Sequence, residues 1–78
     1  MPAMTSHELL DILLSTLVRS HGGDRRRWRL ALGRIRVHSL ETHPHCNWSV
    51  APAGSARENA LIERMLDDLR AVHPVIAR

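Results

Sequence analysis

The sequence predicts a small α+β domain of two layers, ordered helix, strand, strand, strand, helix, with two helices covering one face of a short antiparallel sheet. Three observations predict it. Near each end of the 78 residues a capping signature precedes apolar residues at helical spacing. Between those segments the apolar residues alternate, first on even positions (Trp28, Leu30, Leu32) and then on odd ones (Ile35, Val37). That reversal of phase falls at Gly33-Arg34, a glycine-first pair suited to a two-residue hairpin turn.

The first helix is expected over residues 6–21. Thr5 and Glu8 form a capping box, in which a hydroxyl and a carboxylate satisfy two otherwise unpaired backbone N–H groups. Leu10, Leu13, Leu14 and Leu17 make the stripe, Leu9, Ile12 and Val18 widen it, and Gly22-Gly23 stops it. "LLDILLSTLV" is expected to be neither a secretory leader nor a membrane span: nothing basic precedes it, Glu8 sits beside it and Asp11 within it, and it has about half the required length.

The middle segment reads as strands at 27–32 and 35–40 joined by the Gly33 turn, with a β-bulge in one long strand as the alternative. A helix starting at Trp28 would leave Leu30 and Val37 among arginines. In the hairpin register Leu32 opposes Ile35, Leu30 opposes Val37 and Trp28 opposes Ser39, so Arg27, Arg29, Arg36 and His38 gather on the other side. A third strand is expected over 46–51, where Cys46, Trp48 and Val50 alternate with Asn47 and Ser49. "APAGSA" turns the chain and caps the last helix, since it lacks the spacing of a phosphate loop.

The last helix is expected over 55–73. Ser55 and Glu58 repeat the capping box; Leu61, Ile62, Met65, Leu66, Leu69 and Val72 form the stripe, and Pro74 ends it. Its other side carries Arg57, Glu63, Arg64, Asp67, Asp68 and Arg70, a solvated face of mixed sign. Residues 1–78 are thus expected to form one domain, with a small aliphatic core filled out by Trp28 and Trp48.

Charge placement carries the functional expectation. All eleven basic side chains are arginines, and the net charge is +3. From Arg19 to His38 seven arginines face Asp24 alone, whereas the remainder holds four arginines against seven acids. Like charges on one sheet face repel, and arginine is suited to bidentate contact with phosphate or carboxylate. Arg25, Arg26, Arg27, Arg29, Arg34, Arg36 and His38 are therefore the candidate binding residues for an anionic partner. The expected function is a non-catalytic binding module whose partner is nucleic acid. The alternative is an adaptor or inhibitor docking on an acidic protein surface. Neither tryptophan reaches the arginine face in this register, so nucleic-acid contact would be electrostatic and salt-sensitive. Edge strands and the first helix leave a homodimer open.

The element order resembles that of double-stranded RNA binding domains, although the final helix opens "SARENA", with Arg57 alone where that family has a basic cluster. His45 in a loop and Asn59 on a helix are similar to parts of the ββα-metal nucleases. The helical histidine of that motif has no match, because His73 lies at the helix end beside Pro74. The loop "HSLETHPHCNW" offers His43, His45 and Cys46, with His38, as an alternative zinc set, but the spacing fits no common finger or ribbon. No metal, cofactor or catalysis is expected, and Cys46 is read as a core residue. A single cysteine excludes an intrachain disulfide, and the expected location is cytoplasmic, away from membranes.

Overall fold

In the computed structural model, which describes residues 4–77, three helices pack with a two-stranded antiparallel sheet. Helix α1 spans Ser6–His21 and α3 spans Ala56–Val72, matching both sequence-predicted helices once the caps are set apart. Both capping boxes form: Thr5 Oγ1 accepts from Glu8 N at 3.1 Å and Ser55 Oγ from Glu58 N at 3.2 Å. Leu9, Leu13, Leu14 and Leu17 of α1 meet Ile62, Met65 and Leu66 of α3 in a single core.

The segment expected as a strand over 27–32 is instead helical: α2 spans Arg25–Leu32. Asp24 caps it, its side chain accepting from Arg26 N at 3.1 Å. Trp28, Ala31 and Leu32, spaced at three and four residues, are buried, while Leu30 stands 64% exposed. Gly33 closes the helix at φ +76°, a conformation that disfavours any other residue, and its N–H bonds Arg29 O at 3.1 Å. The phase reversal at Gly33 is thus a helix-to-strand junction, neither a hairpin turn nor a bulge. Arginine, leucine and alanine are good helix formers, and Ala31 supplies the third apolar contact that the alternating reading left out.

The sheet has two strands where three were expected, β1 at Ile35–Val37 and β2 at Trp48–Val50, both shorter than the ranges 35–40 and 46–51. Ile35 pairs with Val50, Arg36 with Ser49 and Val37 with Trp48, so Val50 and Trp48 stand where Leu32 and Leu30 were expected opposite Ile35 and Val37, and the expected pairing of Trp28 with Ser39 does not form. Side chains alternate across a strand, so Ile35, Val37, Trp48 and Val50 share the core face and Arg36 shares the outer one with Ser49.

Beyond α3 the chain folds back beside β2. Trp48 Nε1 donates to His73 O at 2.8 Å, and Asn47 N donates to Pro74 O at 3.1 Å. Asn47, 1% exposed, clasps Ile76 twice: Nδ2 donates to Ile76 O at 2.7 Å, and Oδ1 accepts from Ile76 N at 2.8 Å. Ala77 N then reaches Met4 O at 2.7 Å, joining the two ends of the described chain.

Candidate anionic-partner site

Folding α2 as a helix redistributes the arginines. Consecutive helical residues point about 100° apart, so Arg25, Arg26 and Arg27 leave the helix in different directions. Arg25 forms an ion pair with Asp11 on α1, and its Nη1 donates to Ser15 Oγ at 3.4 Å. Arg27 forks onto Glu58 at the start of α3, through Nε at 2.9 Å and Nη2 at 2.7 Å. Those bonds, followed by the Ser55 N–H, hold the Glu58 carboxyl down to about 2 and raise Arg27 in turn. Both arginines are therefore bound to the protein's own carboxylates; Arg27 stands apart from the other candidates, whereas Arg25 borders a depression with Arg26 and Arg29.

Arg26 and Arg29 lie three residues apart on one side of α2, and Arg34 follows the helix-ending Gly33. Together with His7 of α1 they line an open groove of about 580 Å³ between α1, α2 and the start of β1, floored by Leu10, Leu30 and Ile35. Among the described residues none that lines it is acidic. Among the described residues, Arg26, Arg29 and Arg34 have no carboxylate partner. Arg26 and Arg29 also line a neighbouring depression towards α1 and the α2 cap that includes Arg25, Asp11 and Asp24, so of the three Arg34 alone borders only depressions without an acidic lining residue.

Arg34 also borders a shallower depression along β1 that continues past Arg36 to His38. His38 Nε2 lies 2.8 Å from Ser49 Oγ, and its ring stacks on His43 with centroids 4.1 Å apart. The single arginine-covered sheet face expected from the sequence is thus replaced by a groove carrying Arg26, Arg29 and Arg34, with Arg36 and His38 beside it.

The histidine loop does not assemble the alternative metal set. His43 Nδ1 lies 2.8 Å from Thr42 Oγ1, and His45 is exposed. Cys46 is half-buried against the core, with Sγ 3.4 Å from Trp48 O. Among the described residues no three His, Cys, Asp or Glu side chains are grouped to hold a metal ion. Asn59 serves the loop before α3, its Oδ1 accepting from Gly54 N at 2.9 Å.

Sequence reasoning missed three participants: Asp24 as a cap, Glu58 as the partner of Arg27, and Leu30 as an exposed apolar side chain in the groove. An aspartate immediately before a run of helix formers was a usable signal for the first. Nothing local pairs Arg27 with Glu58, which already had a complete role in its own capping box. Among the described residues no helix is long and apolar enough to cross a membrane. No protein-family model matches the chain, nor does any curated protein or solved structure.

Proposed function

We propose that this protein is a small, non-catalytic binding module of the cytoplasm that holds an anionic macromolecule in the groove between α1, α2 and β1. The observation that supports this reading is the convergence of Arg26, Arg29 and Arg34 on a groove with no acidic lining residue among the described ones, while Arg25 and Arg27 are neutralised. Like charges gathered without counter-charges destabilise a free surface and become favourable when an anion enters. Arginine's planar fork matches phosphate and carboxylate alike, so charge alone admits both nucleic acid and an acidic protein surface.

The test is binding of labelled duplex DNA, duplex RNA and polyglutamate, measured by fluorescence anisotropy across a salt series. We expect at least one probe to bind at low salt, to weaken steeply as salt rises, and to be lost in the Arg26→Ala/Arg34→Ala double variant. Absence of binding by all three probes at low salt, or retention in a folded double variant, would overturn the reading.

A further inference from the structure

We infer that the occupant of this groove is a segment of another protein in which an apolar side chain is flanked by carboxylates. The inference rests on the anionic-partner reading and adds the apolar half of the site to it. Leu10, Leu30 and Ile35 line the groove together with Arg26, Arg29 and Arg34. Leu30 is 64% exposed in the last turn of α2, while Leu10 and Ile35, which line the same groove, are half-buried. One exposed leucine is ordinary on a protein surface. A leucine beside half-buried apolar neighbours, in a groove shared with three arginines that have no carboxylate partner among the described residues, has the anatomy of an interface anchor with a polar rim.

Charge complementarity selects the occupant. A phosphodiester chain would satisfy the arginines while setting charged oxygens against Leu30, and among the described residues His7 is the one ring lining the groove that could stack a base, with no tryptophan, tyrosine or phenylalanine beside it. Carboxylates on either side of an apolar residue would meet arginines and floor together. A second copy of this chain could offer Glu63, Asp67 and Asp68 from α3. However, Arg64 and Arg70 accompany them there, and such a head-to-tail contact is heterologous, building rings or filaments in place of a two-fold dimer.

Three probes test this: a synthetic peptide with one leucine between runs of glutamate, its leucine-to-serine counterpart, and a duplex RNA. Each is titrated by calorimetry at low and physiological salt against the wild type and Leu30→Ser, an exposed change whose folding is checked by thermal melting. We expect the leucine peptide to bind about tenfold more tightly than its serine counterpart, and Leu30→Ser to abolish that difference. Because the contrast is also read on the peptide, it survives a poorly folded variant. Equal binding of the two peptides, or tighter binding of the duplex, overturns the inference and leaves the anionic-partner reading standing. Leu30-dependent self-association in sedimentation overturns it in favour of a second copy. Failure of every probe at low salt removes both.

Discussion

Adjacent arginines on α2 have opposite roles, and the difference is measurable residue by residue. Arg27 is tied through two bonds to Glu58, whereas Arg26 faces open solvent in the groove. Arg26→Ala should therefore weaken binding of an anionic probe while leaving the melting temperature nearly unchanged. Arg27→Met should do the reverse, which anisotropy and thermal melting on the same samples would reveal. Acid sharpens the contrast. Glu58 is lowered from 4.5 to about 2, chiefly by the bonds from Arg27 and then by the Ser55 N–H. A carboxyl depressed in the folded state contributes stability that is complete above its unfolded value and lost as pH falls through the folded one. The wild type should accordingly lose stability between about pH 4.5 and 2 more steeply than Arg27→Met, as followed by urea unfolding at several pH values. Parallel loss in both proteins would show that the pair does not link α2 to α3.

Glycine decides how the elements of this chain meet, and it is also where the sequence was ambiguous. Gly54 has no room for a side chain: a Cβ there would lie 2.7 Å from Ala31 Cβ of α2 and 2.7 Å from Glu58 Oε1. Gly54→Ala should thus push α2 and α3 apart and destabilise by about 1–3 kcal/mol, the usual range for overpacking, measurable by denaturant unfolding. An unchanged midpoint would mean that the loop before α3 yields freely. α1 and α3 were legible because their signals are redundant, each combining a capping box, a wide stripe and a stop. α2 has only eight residues, so its stripe comprises Trp28, Ala31 and Leu32, and the small Ala31 is easily overlooked. Leu30 then mimics strand alternation although it is the residue left outside the core. A glycine at a reversal of phase ends a helix as readily as it turns a hairpin. The short strands were legible in position, since Ile35, Val37, Trp48 and Val50 do face the core, but their partners lay across a loop whose register no local pattern sets.

At the scale of the molecule, the candidate site was legible as a charge and not as a shape. The excess of arginine between Arg19 and His38 is visible in the sequence, whereas its division into paired and unpaired members depends on where Asp11 and Glu58 arrive in three dimensions. The same holds for closure of the core, which depends on the last residues described. A domain of this size has a net stability of only about 5 kcal/mol or little more. Ile76 is 2% exposed, and burial of such a side chain contributes about 1.5–3 kcal/mol. Asn47 supplies both hydrogen bonds to the Ile76 backbone from a position 1% exposed, and leaving such buried groups unpaired costs about 1–3 kcal/mol. Removing residues 74–78 deletes that burial and strands Asn47 together, so the truncated chain should melt without a cooperative transition or at a much lower temperature. Asn47→Asp isolates the polar part, because a carboxylate can accept from Ile76 N but cannot donate to Ile76 O. It should therefore destabilise the domain with the apolar contacts intact. Circular dichroism melts of both variants beside the wild type provide the check; a truncated protein melting within a few degrees of the intact one would show that the helices and sheet close the core unaided.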